Sequence, residues 1–233
     1  MKVKVAQCWD DGVATDAKLT GLLRKYNAKA TFNLCPGAMP EYERVQPYYV
    51  PADYKLWSYK GFIGGHIAIA EIRDVYAGFE LASHCWFHEV AGQETDEDFM
   101  IAAYDARKFL EDTFQREFRG LAYPCGGVTP GAKQMLRDAG FAYGRTVNNV
   151  ENIYSCTDTM EFNPNCKFND PQFTEKFKQA KSTGAFYFWG HSYEMMDKDE
   201  LWNDFEEKLI MLNSDPDVEW VNVVDLADEI NNK

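Results

Sequence analysis

The side chains that could do chemistry in this sequence are concentrated in four short stretches, each placed where an apolar run stops. Asp10-Asp11-Gly12 follows the apolar run 3–9. Asp-Gly is a turn dipeptide, so a hairpin is the plain interpretation. A helical pattern follows, however, and in α/β folds reactive groups gather at the carboxyl ends of parallel strands. Ser83-His84-Cys85-Trp86-Phe87-His88 supplies two imidazoles four residues apart. On a helical turn that spacing puts both on one face, within reach of one metal ion; a pair of packed histidines is the plainer alternative. The chain has only four histidines, His66, His84, His88 and His191, and uses two of them here. Two histidines with one carboxylate leave coordination positions open, as at a catalytic zinc, and the same set suits non-haem iron. The third stretch, residues 120–127, is a strand pattern entering the turn Tyr123-Pro124-Cys125-Gly126-Gly127, which by itself is unspecific. The fourth, Phe186-Tyr187-Phe188-Trp189-Gly190-His191, is an apolar strand ending in a histidine.

Regular alternation of strand and helix patterns must position these groups. Strand-like residues 3–9 are followed by a helical pattern over 14–27, with Leu19, Leu22, Leu23 and Tyr26 at helical spacing, and by a second strand over 30–34. Such a unit predicts a parallel pair with a crossover helix. The pattern continues with strands expected at 79–83, 120–123, 141–147, 185–189 and 218–221, and helices at 96–114, 131–139, 173–181, 199–212 and 224–230. Roughly seven strands alternating with helices predict an α/β barrel or an open doubly wound sheet. No Pro/Gly/Ser-rich linker divides the chain, so residues 1–233 are expected to form one domain. Residues 36–65 break the rhythm with Tyr42, Tyr48, Tyr49, Tyr54, Trp57, Tyr59 and Phe62 among prolines and glycines. A connection that long is usually functional or disordered, and its aromatic content argues for order.

Composition narrows the function. Lys plus Arg number 24 against 37 Asp plus Glu, a net charge of −13, which opposes nucleic-acid binding and steers strongly anionic substrates away. No apolar stretch reaches the roughly 18 residues of a membrane span, and the N-terminus alternates like a strand, so a cytoplasmic location is the expectation. Six scattered cysteines without a C-x-x-C pair exclude a zinc ribbon or a thioredoxin-type motif and favour reduced thiols.

Taken in order, Asp-Asp-Gly, His-x-x-x-His, the Tyr-Pro-x-Gly turn and an aromatic strand ending in His resemble the polysaccharide deacetylases of the NodB-homology type, carbohydrate esterase family four. The likeness runs from Cys8 to His191; residues 28–34 resemble the family's second strand and residues 72–88 the approach to its metal histidines. The resemblance implies a distorted (β/α) barrel of about seven parallel strands, one divalent metal ion, and hydrolysis of N- or O-acetyl groups on a saccharide. It further implies Asp11, His84 and His88 as metal ligands, Asp10 as general base and His191 as general acid. The Cys125 backbone N–H matches the oxyanion donor, Tyr123 belongs to the substrate-binding turn, and Trp189 matches the wall around the acetyl methyl. Zinc is the expected ion, with cobalt, nickel, manganese and iron(II) compatible.

Two departures from that pattern shape further expectations. Ala122 stands where many members place an arginine that braces the catalytic carboxylate, so Arg145 at a neighbouring strand end is expected to take its place. A second orienting carboxylate from the fourth motif has no match. The aromatic insertion is expected at the barrel mouth, with Tyr49, Trp57 and Tyr59 lining the cleft as flat surfaces for sugar rings. Competing expectations are an amide hydrolase on the same barrel acting on a small molecule such as a cyclic ureide, and an inactive carbohydrate-binding homologue.

Overall fold

The computed structural model describes residues 2–233. Its organising element is β1 (Val3–Asp11), a nine-residue strand buried along most of its length, as expected for a parallel strand covered on both faces. α1 (Asp16–Lys25) leads to β2 (Thr31–Leu34), and a small hairpin follows, β3 (Tyr48–Tyr49) with β4 (Phe62–Ile63). α2 (Ile72–Val75), β5 (Glu80–Ser83), α3 (Asp96–Phe114), β6 (Gly120–Ala122), α4 (Pro130–Asp138) and β7 (Tyr143–Arg145) continue the alternation. β8 (Cys166–Lys167), α5 (Phe173–Thr183), β9 (Ala185–Gly190), α6 (Asp199–Ser214), β10 (Val218–Trp220) and α7 (Val223–Asn231) complete it.

The main sheet runs β7-β6-β5-β2-β1-β9-β8, all parallel, and curls into a distorted (β/α) barrel. β10 joins the first half of β1, while β2 pairs with its second half. The two flanks approach through residues 162–167, where Phe162 bridges to Arg145 and β8 pairs with β9. β8 was not expected from the sequence, because two residues are too short to carry a period.

The strand period decides what faces what. Successive side chains point to opposite faces, so Val3, Val5 and Trp9 of β1, with Phe186 and Phe188 of β9, pack outward against Leu19, Leu23, Phe173, Phe177 and Phe205 of the helices. The alternate residues Ala6 and Cys8, with Tyr143, Phe162, Ala185 and Tyr187, fill the interior. Asp10 continues that inner row. The helices begin and end at local signals: Thr95 accepts from Asp98 N–H at 3.1 Å to cap α3, and Thr129 accepts from Ala132 N–H at 3.1 Å to cap α4, which starts on Pro130. Gly184, at φ 90°, stops α5 in the left-handed conformation that suits glycine.

Residues 36–65 fold onto the mouth of the barrel. Val45 and His66 exchange backbone hydrogen bonds of 3.0 Å, Ile67 N–H donates to Gly12 O at 3.0 Å, and Phe62 is buried against Val13 and Tyr193. No helix among the described residues is long and apolar enough to cross a membrane. All six cysteines are free.

Candidate active site

Asp10 reaches the barrel interior from the end of β1, where it is 1 % exposed. Its register partner Asn33 donates from Nδ2 to Asp10 Oδ1 at 2.7 Å, and Arg145 donates from Nη2 to Oδ2. Arg145 comes from β7, directly beside Ala122 of β6 in register. The small Ala122 side chain leaves the interior open to a guanidinium from the next strand. Burial pushes the Asp10 pKa upward, but Arg145, helped by the His84 and His191 imidazoles, outweighs it and holds the carboxyl below its usual range.

Asp11 would face away from the barrel if β1 simply continued. Instead Asp11 and Gly12 both take positive φ, 81° and 70°, and this turn swings the carboxylate over the strand end. Asp11 Oδ1 lies 3.3 Å from His84 Nε2 and 3.9 Å from His88 Nε2, and Oδ2 lies 3.8 Å from His191 Nε2. Burial acts to raise the Asp11 pKa, and His84, His191 and His88 together hold it down.

The histidine pair converges by a different route from the one its spacing predicts. Residues 84–88 form no helical turn; they are a loop in which Cys85 and His88 adopt φ 62° and 70°. His84 still belongs to the ladder, donating its N–H to Leu34 O at 2.9 Å, and Ser83 Oγ accepts from Cys85 N–H at 3.2 Å to tighten the bend. The rings end 4.9 Å apart at 79°. His84 Nδ1 is hydrogen-bonded to Ala122 O at 2.7 Å, which makes Nδ1 a donor and turns Nε2 toward Asp11. The ligand atoms of Asp11, His84 and His88 all lie within 4.8 Å of one another.

His191 caps β9 with Nε2 3.8 Å from Asp10 Oδ2. Its Nδ1 meets Glu194 Oε1 at 3.1 Å, and buried Glu194 also accepts from Lys167 at 2.5 Å and Asn169 at 3.2 Å. Burial works to lower the His191 pKa; the Glu194 hydrogen bond and the Asp11 and Asp10 carboxylates overcome it and raise it. The imidazole stacks on Tyr193 at 4.9 Å and 26°. The third-motif turn places Cys125 at φ 54° on the cleft lining, while the Tyr123 hydroxyl is engaged with Met160 O at 2.8 Å, leaving its ring to the cleft.

A cleft of about 630 Å³ joins these groups; Asp10, Asp11, His84, His88, Tyr123, Cys125, Arg145, Trp189 and His191 all line it. Of the insertion's expected aromatics only Trp57 reaches the lining. Tyr49 is 74 % exposed and packs its ring on Phe62, and Tyr59 is wedged against Phe62 and Tyr193 behind the wall. Tyr49 shares its face of the hairpin with its register partner Phe62, opposite the face of Ile63, which lines the cleft. Sequence reasoning missed Asn33, Phe87, His66, Tyr193 and Glu194. The inward period of β2 could have found Asn33, and the i+3 spacing from His191 could have found Glu194; His66 carries no local signal.

The sequence profile of the polysaccharide deacetylase family matches residues 2–144. No curated protein sequence matches the chain. Among solved structures, the chain is similar to a putative polysaccharide deacetylase from Mycobacterium smegmatis, with a TM-score of 0.68 and 13 % identity over 99 % of this chain and 91 % of that one. It is also similar to the CE4 domain of a multidomain xylanase from the hindgut metagenome of Trinervitermes trinervoides, with a TM-score of 0.59 and 14 % identity over 99 % and 92 % of the two chains. A family 4 acetyl xylan esterase from Clostridium thermocellum, solved with a cobalt ion, gives 0.56 and 14 % over 97 % and 91 %. At such identities the likeness is one of fold.

Proposed function

The chain belongs to the polysaccharide deacetylase family, and on that premise we propose that it hydrolyses acetyl groups from a saccharide, using a divalent metal ion held by Asp11, His84 and His88. The observation that carries this proposal is the convergence of that ligand trio with the Arg145-braced Asp10 and the Glu194-bound His191 in one cleft.

The trio suits a metal on three counts. Asp11 Oδ1 is shielded from solvent and accepts no hydrogen bond. The His84 Nδ1 contact with Ala122 O presents Nε2 in its ligating form. One carboxylate and two imidazoles are a zinc-type donor set that cobalt, nickel, manganese and iron(II) also accept. Cys35 and Cys85 lie nearby, but burial pushes both thiols well above their usual pKa, so neither competes as a thiolate.

Bound there, the ion would polarise the acetyl carbonyl and acidify a water molecule. Asp10, kept ionised by Arg145, accepts a proton from the attacking water. The Cys125 N–H donates to the oxygen on which negative charge develops. His191, kept protonated by Glu194, gives its proton to the departing nitrogen or oxygen of the saccharide. Trp189, with the Arg145 guanidinium 4.7 Å from its ring centroid, forms an apolar wall for the acetyl methyl, and Trp57 offers a flat face at the rim for a sugar ring. The net charge of −13 favours neutral over polyanionic saccharides.

The test is acetate release from acetylated xylo-oligosaccharides and N-acetylated chito-oligosaccharides, before and after chelation and after zinc or cobalt is restored. Release that is lost on chelation and regained with metal is the expected result. Failure on every saccharide, with turnover of a cyclic ureide, would move the protein to the amide-hydrolase alternative.

A further inference from the structure

All four histidines of the chain line the same cleft. Three have roles in the reaction proposed above, and the fourth, His66, directly follows the insertion. It stands beside Asp11 without joining the ligand trio: one edge of its ring lies against the Asp11 backbone, and it is not among the groups whose ligand atoms cluster within 4.8 Å. Nδ1 is shielded from solvent and has no partner among the described residues.

The chain around His66 is built to hold this imidazole in place. Val45 fixes its backbone on both sides with 3.0 Å hydrogen bonds, and Ile67 N–H is tied to Gly12 O at 3.0 Å. Gly64 and Gly65 let the segment approach closely: a Cβ at Gly65, where φ is 66°, would fall 1.9 Å from Val45 O, and one at Gly64 would sit 3.0 Å from the Tyr193 side chain. A segment pinned this tightly carries its side chain to the cleft as part of a rigid wall. The neighbouring lining is apolar, with Val13, Ala38, Ile63 and Phe87, so a sugar entering there finds little else with which to hydrogen-bond.

We infer that His66 is a specificity-determining residue, hydrogen-bonding a hydroxyl or acetamido group of the saccharide beside the scissile acetyl. The inference rests on the deacetylase function proposed above and extends it to the residue that directly follows the insertion. With Nδ1 shielded, Nε2 is the nitrogen left to meet a ligand; it donates or accepts according to tautomer, and a hydroxyl can answer either.

The test compares the wild type with His66→Phe, which keeps a ring but no polar atom, and His66→Gln, which restores an amide. Each is assayed on an acetylated oligosaccharide and on 4-nitrophenyl acetate, a small ester without sugar hydroxyls, and each is checked for metal content by elemental analysis. The expected result for His66→Phe is a rise in KM for the oligosaccharide of about tenfold, the scale of one lost hydrogen bond. Its kcat, its metal content and its action on the small ester should stay close to wild type, with partial recovery of KM in His66→Gln. An unchanged oligosaccharide KM, equal losses on both substrates, or loss of metal would each overturn the inference. If the wild type itself releases acetate from no saccharide, the proposed function fails and this inference goes with it; if the wild type is active and His66→Phe matches it, the inference alone fails.

Discussion

Arg145 on β7 donates a hydrogen bond across the barrel interior to Asp10 on β1, and both residues are 1 % exposed. The pair explains how Asp10 stays ionised although burial opposes its charge. Activity that depends on the Asp10 carboxylate is lost as pH falls through its pKa, and Arg145 keeps that limb low. Arg145→Met should therefore move the acid limb of the kcat/KM profile toward neutrality and cost about 10²-fold at pH 7, the usual scale of general-base loss. Arg145→Lys, which keeps the charge without the planar fork, should fall between. An acid limb at the same pH in Arg145→Met would remove the arginine from the mechanism. Because one partner of a buried pair is deleted, thermal unfolding should also show a loss of about 3–5 kcal/mol.

Glu194 has the corresponding part on the other side of the cleft. It holds His191 Nδ1 and raises the imidazole pKa against the effect of burial. A group whose folded pKa is raised keeps its proton, and the stability that goes with it, below the ordinary imidazole value and loses both as pH rises through the folded one. The alkaline limb of activity should consequently lie above that of an ordinary histidine. Glu194→Gln should shift it downward and reduce kcat at pH 8 more than at pH 6. A parallel drop at both pH values would assign Glu194 to structure alone.

These two carboxylate partnerships also mark how far the sequence could be read. The expected helix over 96–114 coincides with α3 (Asp96–Phe114) because a Thr95 cap and an acidic first turn announce it. Asp10, Asp11, His84, His88 and His191 were legible because each ends an apolar run, and strand ends are where such a fold collects its chemistry. Arg145 was legible only as a substitute for what Ala122 lacks. The conformation of residues 84–88 was hidden, since their spacing suits a helical turn equally well, and positive φ at Cys85 and His88 leaves no mark in residue type. His66 was hidden because the long-range pairing of Val45 with His66 places it, and no window of local sequence contains that contact.

The metal assignment separates ligands from neighbouring thiols. Asp11→Ala, His84→Ala and His88→Ala should each lose bound metal in elemental analysis together with acetate release. Cys125→Ser and Cys35→Ser should retain both, since Cys125 is proposed to act through its backbone and the Cys35 thiol donates to His84 O at 3.0 Å. Full metal occupancy and turnover in His84→Ala or His88→Ala would show the ligand set to be wrong.

The insertion's aromatics divide into one that lines the cleft and two that support it, and the division is measurable. Trp57 is 64 % exposed, lines the cleft, and meets Tyr193 edge-on at 5.8 Å. Tyr193 in turn stacks on His191. Stripping Trp57 to alanine removes a flat surface for a sugar ring while leaving the Tyr193–His191 stack in place. Trp57→Ala should raise KM for a long acetylated oligosaccharide by about 10-fold, at the lower edge of the roughly 1.5–3 kcal/mol that burying a large apolar side chain carries, with little effect on 4-nitrophenyl acetate. Tyr49→Ala should leave both substrates unchanged, because its ring contacts Phe62 outside the cleft. Tyr59→Ala should behave differently again: its ring supports Tyr193 at 5.3 Å, so loosening it should lower kcat on both substrates through the stacked His191. If Trp57→Ala affects the small ester as strongly as the oligosaccharide, Trp57 supports the site in the same way as Tyr59 and does not bind the sugar.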